Sequence, residues 1–335
     1  MPGPWYRRFL PDEFGVGLVL VVLVVGVGIA HPDFLRADNL LSTAQSATYV
    51  GLMSCGMVFP LAMREVDLSV GGTYSLGIVA GAVLIRDGMS PWLAMVAVLV
   101  LATLLGCLNG VVTTYLKLPS FIVTLASAML FRGIALAMAN GKQISGLPQN
   151  NSFFTVLGGN LGGVPTSVWV LLAATVLLTV LFTRTRFGAR VRAIGSNPDA
   201  AEFNGLPIAR TRIMALGLSG LLAGAAAVLG LAFYIAGDPT VGNGYELSAI
   251  AACIIGGTPL AGGRGSVPGA LIGNLILNTV AACLVFFQVP INWTTFATGA
   301  VILVAVAFDS VLRRTRGHGL IPHTRQNRNR KDASS

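Results

Sequence analysis

Residues 184–212 read RTRFGARVRAIGSNPDAAEFNGLPIARTR. This is the one long polar, basic interruption in an otherwise apolar chain. It carries six arginines: Arg184, Arg186, Arg190, Arg192, Arg210 and Arg212. Apolar segments flank it on both sides, so it is read as a loop between two membrane spans. Lys and Arg are retained on the cytoplasmic side of such proteins, which places the loop there. Its centre predicts a short helix. Asn197 suits the N-cap and Pro198 the first helical position. Asp199 and Glu202 fall where carboxylates favour the positive end of the helix dipole. Gly205 ends the helix and Pro207 prevents its resumption. A capped helix held outside the membrane reads either as a docking surface or as an ordinary solvated loop.

Composition fixes the class. Of 335 residues, 54% are hydrophobic and only 10% charged, and the mean hydropathy is +0.76. Soluble domains carry about 25% charged residues. The apolar runs are continuous and do not alternate with polar residues, which excludes a barrel and leaves an all-α integral membrane protein. The 41 glycines suit close helix packing in lipid. Cys55, Cys107, Cys253 and Cys283 all lie in apolar stretches and read as packed thiols. His31, His318 and His323 lie in a loop and the tail, so no metal site is expected, and no cofactor. The net charge of +9 flanks membrane spans, which points to topology and anionic lipid rather than nucleic acid.

About ten segments follow, at 14–30, 40–62, 67–85, 91–116, 119–139, 166–183, 213–236, 246–257, 267–287 and 293–312. The first is retained rather than cleaved, since no small-residue cleavage site follows it. The eighth is too short to span alone. A Gly/Asn-rich loop occupies 140–165, and a glycine-rich turn, TPLAGGRGS, occupies 258–266. The predicted division is a transmembrane permease domain over 1–312, with the loop at 184–212, and a basic, disordered cytoplasmic tail over 313–335.

An even number of spans puts both termini on one side. With both in the cytoplasm, eighteen Lys/Arg fall inside and three (Arg36, Arg86, Lys142) outside, while Arg132 lies within a span. There is also an internal echo: the third segment begins Asp67-Leu68-Ser69 and the eighth Glu246-Leu247-Ser248. Plain N-capping leaves such starts. So does an inverted repeat, in which short or interrupted segments mark a translocation path.

Four blocks carry a family resemblance: MREVDLSVGGTYSLGIVAGAVL from Met63, PSFIVTLASAMLFRGIAL from Pro119, the NPDAAEFNG loop, and YELSAIAACIIGGTPLAGGRGSVPGALIGNLIL from Tyr245. In this order they resemble the ABC-type monosaccharide permeases, the membrane subunits of ribose, xylose, arabinose and galactose importers. The resemblance runs from about residue 40 to 309. It implies an inverted-repeat core with some helices short or broken, in the bacterial cytoplasmic (inner) membrane. It implies a second permease subunit, like or unlike, a cytoplasmic ATPase subunit and an extracytoplasmic sugar-binding protein. The chain itself would be a transport subunit and not an enzyme. By this similarity Asn197, Pro198, Ala200, Ala201 and Gly205 form the helix that couples to the ATPase. Asp67, Leu68, Ser69 and Gly71 match the first block. Gly256, Gly257, Gly262, Gly263 and Gly265 match the second, as a structural glycine turn. Two positions depart from the family: Arg64 stands where Gly is usual, and Thr279-Val280 follow Asn278 where Gly-Leu is common. Arg64 is expected either to change the turn or to pair with Glu65 or Asp67.

Candidate path residues are Asp67, Ser69, Asn109, Asn274 and Asn278. The amides could meet a passing sugar or bond across helices. Arg132 is costly inside a span, by roughly 2.5–3.5 kcal/mol. It lines the path, holds a broken helix, or snorkels to the outer face. GGRG is no phosphate loop, since no Gly-Lys-Ser/Thr follows, so ATP chemistry belongs to a partner. An ion-coupled secondary transporter would need midplane carboxylates, whereas Asp67, Glu246 and Asp309 fall at predicted segment ends. A membrane enzyme would need a catalytic cluster, and none is visible. Aromatic residues are 8% of the chain, and Trp5, Trp92, Trp169 and Trp293 flank the spans. The expected path is therefore lined by small residues and has little sugar affinity of its own.

Overall fold

A computed structural model of the chain describes residues 14–290, together with 293, 296, 297, 299, 300 and 303. The expected tail and nearly all of the expected last span lie outside the described residues. Helices stand at the other nine expected segments: α1 (Phe14–Ala30), α2 (Ala37–Ala62), α3 (Val70–Arg86), α4 (Pro91–Tyr115), α5 (Ser120–Met138), α7 (Thr166–Arg184), α10 (Ile208–Tyr234), α11 (Tyr245–Ile255) and α12 (Val267–Phe286). Of these, α4, α5, α7, α10 and α12 are each long and apolar enough to cross a membrane. Three shorter α-helices, α6 (Ser152–Leu157), α8 (Arg186–Ser196) and α9 (Pro198–Phe203), and one turn of 3-10 helix at Pro32–Leu35 complete the helical order.

Burial sorts the helices into a centre and a rim. The most apolar window of α10 is 78% buried, against 28% for those of α4, α5 and α7. From Ala47 to Ala62 every residue of α2 is buried. A helix apolar all round belongs inside, and α10 packs against both α2 and α4. The contact with α4 is close because glycines face backbone there. A Cβ on Gly106 would strike the Leu216 carbonyl, and one on Gly220 the Ala102 carbonyl. The rim helices turn Leu125, Met129, Val176 and Leu177 outward, as a lipid-facing surface requires.

The loop expected at 140–165 is more ordered than its composition suggests. It holds α6, capped by Asn151, whose side chain accepts from the Phe153 amide. It also holds a two-stranded hairpin, β1 (Asn160–Leu161) and β2 (Val164–Pro165). The hairpin turns on Gly162 and Gly163, both at positive φ, the conformation a tight two-residue turn demands.

The main departure lies before α3. The third segment is expected to be helical from Asp67, but α3 begins at Val70. Asp67 Oδ1 accepts from the Ser69 amide at 2.9 Å and from Ser69 Oγ at 2.6 Å. That local bonding competes with the helix. The irregular backbone before α3 is satisfied by hydroxyls of α5. Val66 N–H donates to Ser120 Oγ and Leu68 N–H to Thr124 Oγ1, each at 3.0 Å. Non-helical backbone inside an apolar body survives only with such partners.

Candidate functional site

The arginine-rich loop is two helices rather than one. The sequence anticipates α9, and its cap is as expected: Asn197 Oδ1 accepts from the Ala200 amide at 3.0 Å. Gly205 follows at φ +69°. The preceding α8 was not anticipated. Its signal is apolar spacing, since Gly188, Val191 and Ile194 are buried at helical intervals while Arg186 and Arg190 face outward. Arg192 donates to the Phe182 carbonyl and lies 5.2 Å over the Phe182 ring, fastening α8 to α7. Within α9, Ala201 is buried, so it seats the helix on its own chain. Asp199, Ala200, Glu202 and Phe203 point outward, and Phe203 is 91% exposed.

Three chain ends are tied together behind α8. Arg64 does not pair with Glu65 or Asp67. Its Nε donates to the Gly195 carbonyl at 2.7 Å and an Nη to the Ser196 carbonyl at 2.9 Å. Arg64 thus satisfies the last carbonyls of α8, where a cation suits the helix dipole. Glu65 instead takes Arg212 of α10 at 2.6 Å. The glycine-rich turn joins the same knot: Gly263 N–H donates to the Ala62 carbonyl at 2.8 Å. Gly262 lies against Arg64 and Ala62, Gly265 against Val58, and Gly256 backbone to backbone against Gly269 of α12. Gly257 carries φ +91° after α11.

The candidate path residues separate into two groups. Asp67, Ser69 and Asn109 are buried and linked to one another through the Ser69 hydroxyl. Asn109 Nδ2 donates to Ser69 Oγ at 2.9 Å, and Ser127 Oγ donates to Asn109 Oδ1 at 2.6 Å. This chain joins α4, α5 and the segment before α3. Asn274 and Asn278 line a cavity of about 280 Å³ between α2, α10, α11 and α12. Asn274 Nδ2 donates to the Ala47 carbonyl of α2 at 2.7 Å. Asn278 Nδ2 reaches Asn274 Oδ1 at 3.1 Å. Gly51 makes room for Asn274, whose Nδ2 would lie 3.0 Å from an added Cβ.

Arg132 ties α5 to the start of α11. It forms an ion pair with Glu246 at 3.0 Å. It also donates to the Gly242 carbonyl at 2.9 Å and to Asn243 Oδ1 at 2.8 Å. Gly71, in the first turn of α3, sits against both Glu246 and Gly242. The starts of α3 and α11 therefore meet inside the protein. From there α11 returns to the face where α2 ends, and α3 runs to the opposite face, where Ala82 packs on Gly237 beyond α10. The echo of Asp67-Leu68-Ser69 in Glu246-Leu247-Ser248 thus corresponds to two short helices meeting at their starts.

The chain matches the family described as "Branched-chain amino acid transport system / permease component" over residues 39–306. Curated relatives include the ribose import permease protein RbsC of Bacillus subtilis (strain 168), 37% identical over 89% of this chain and 92% of that one. The L-arabinose ABC transporter permease protein AraH of Azospirillum brasilense is 33% identical over 92% and 90%. The xylose transport system permease protein XylH of Escherichia coli (strain K12) is 32% identical over 89% and 91%. Among solved structures, an inward-facing metal-chelate type ABC transporter aligns with TM-score 0.49 and 17% identity, over 90% of this chain and 98% of that one.

Proposed function

This chain belongs to the family of branched-chain amino acid transport system permease components, and we propose that its cargo is a monosaccharide handed over by an extracytoplasmic binding protein. It is a multi-pass membrane permease subunit of an ATP-binding-cassette importer, similar along most of its length to sugar-import permeases. The proposed unit is the domain over 1–312. It acts with a second permease subunit in the bacterial inner membrane, both termini cytoplasmic. The split of basic residues, eighteen to three, supports this orientation.

The observation that carries the reading is the α8–α9 element. It presents Phe203 nearly bare in a polar, arginine-rich setting. A large exposed apolar side chain outside the membrane-spanning helices is a contact for a partner, and aromatic residues dominate such contacts. We assign α9 to the ATPase, with Asn197 and Pro198 fixing its start, Ala201 seating it and Gly205 ending it. Ala200 and Phe203 form the face presented. Arg64 and Gly263 carry force from α8 to α2 and to the turn between α11 and α12.

Reconstitution tests the reading. The permease, its ATPase and its binding protein in liposomes should import at least one of ribose, L-arabinose and xylose when ATP is supplied on the ATPase side. Import driven by a pH gradient without ATP would establish an ion-coupled secondary transporter instead.

A further inference from the structure

The cavity beside Asn274 and Asn278 is lined by aromatic rings as well as amides. Tyr49 of α2, Tyr234 at the end of α10 and Tyr245 at the start of α11 all face it, with Ser248 one turn along α11. Tyr49 and Tyr234 lie 6.0 Å apart between ring centroids. Tyr74, fully buried behind them, stands 6.3 Å from Tyr49 and 5.5 Å from Tyr245. Four of the six tyrosines of the chain thus form one cluster. No charged side chain lines the cavity among the described residues.

Tyr49 is the telling residue. It is 2% exposed, and its hydroxyl has no hydrogen-bond partner among the described residues. A buried hydroxyl left unpaired costs about 1–3 kcal/mol, so its retention beside a cavity calls for a partner from outside the chain. The second observation is the supply of amides. Asn274 Nδ2 donates to the Ala47 carbonyl, and Asn278 Nδ2 donates to both the carbonyl and the Oδ1 of Asn274. An Asn side chain also carries an oxygen with two acceptor lone pairs, so the half-buried Asn278 keeps acceptor capacity beside the space.

We infer that this cavity is a holding site for a neutral, polyhydroxylated ring of monosaccharide size within a single permease subunit. The chemistry selects the class. Ring faces take the apolar face of a sugar, and hydroxyls and amides take its hydroxyl edge. The lack of lining charges disfavours a sugar phosphate or an amino acid zwitterion. The volume, about 280 Å³, lies just under the range of drug-sized pockets, about 300–1,000 Å³. Tyr234 also lines a neighbouring, more apolar cavity, with Ile78, Gln143, Asp238 and Val241, so it stands between the two spaces. This reading departs from the expectation, drawn from the sequence, of a path between two permease subunits with little sugar affinity of its own. The inference rests on the sugar-importer reading.

The test uses the whole reconstituted complex and the panel ribose, L-arabinose and xylose. In Tyr49→Phe the unpaired hydroxyl disappears and the ring stays. A purely structural Tyr49 predicts unchanged or improved stability and unchanged import. The holding site predicts unchanged assembly and basal ATP hydrolysis but a KM for import raised roughly three- to tenfold, the worth of one hydrogen bond. Ser248→Cys gives a second readout that needs no import. Its modification by a small thiol reagent should slow at least fivefold when the imported sugar is present at saturation, and a sugar that is not imported should give no protection. Import by the parent complex with a normal KM in Tyr49→Phe and no protection of Ser248→Cys overturns the site alone. If the parent complex imports none of the panel, the sugar reading falls and the site with it.

Discussion

Arg64 Nε donates to the carbonyl of Gly195 at 2.7 Å, across 131 positions of sequence. The residue holds φ +66° to do so, a conformation costing a non-glycine residue about 1–2 kcal/mol. Two charge-assisted bonds to the end of α8, each worth about 1.5 kcal/mol at an exposed site, offset that cost. Gly195 is equally constrained, since a Cβ there would collide with the Ala62 carbonyl. The C-terminal ends of α2 and α8 are thereby locked as one piece, and α2 carries Tyr49 deeper in the same helix.

Arg64→Gly is expected to relieve the backbone and lose the clamp. The protein should insert normally and retain its ATPase. Sugar import per ATP hydrolysed should fall roughly tenfold. Coupled import and hydrolysis assays on the same proteoliposomes decide this, and an unchanged ratio would show that force travels by another route.

Phe203 and Ala201 separate docking from seating. Phe203→Ala should leave the permease stable and weaken ATPase binding by about 2 kcal/mol, near thirtyfold, the scale of a hot spot. Ala201→Arg forces a long cation into a buried position and should destabilise the permease itself. Pull-down titration read beside thermal unfolding distinguishes them. A Phe203→Ala variant that binds the ATPase as tightly as its parent would place the docking surface elsewhere.

Arg132→Met and Glu246→Gln should each destabilise the permease by about 3 kcal/mol, because each leaves a partly buried charge without its partner. The double variant should be less damaged than the sum of the two. Additive losses in a thermal-stability cycle would mean that the pair does not act as a unit.

Orientation is checked by labelling intact cells. Lys142→Cys should react with an impermeant thiol reagent from outside, and Glu202→Cys only after the membrane is opened. Background is low, because Cys55 and Cys253 are buried and Cys107 and Cys283 half-buried. The opposite pattern would invert the topology.

Sequence reading located features whose causes are local. The apolar runs gave nine described helices at the expected places, and Asn197, Pro198 and Gly205 announced α9. It missed α8, whose arginines suggested a loop more strongly than the spacing of Gly188, Val191 and Ile194 suggested a helix. It started α3 too early at Asp67, because the bond from Asp67 to the Ser69 amide is local but competes with a helix that the apolar run alone would favour.

By itself the sequence determined that this is a helical membrane protein, and where a basic loop with a capped helix interrupts the spans. Those properties follow from hydropathy, charge and capping chemistry, each acting within a few residues. Only the tertiary structure decided that Arg132 meets Glu246, that Arg64 reaches Gly195 rather than its neighbours, and that tyrosines from α2, α10 and α11 line one cavity. In helices apolar on every side, sequence periodicity does not mark which face meets which helix. That choice is made where small residues let backbones touch, as Gly106 does at Leu216 and Gly256 at Gly269. The polar side chains beside those contacts then find partners that no spacing in the chain encodes.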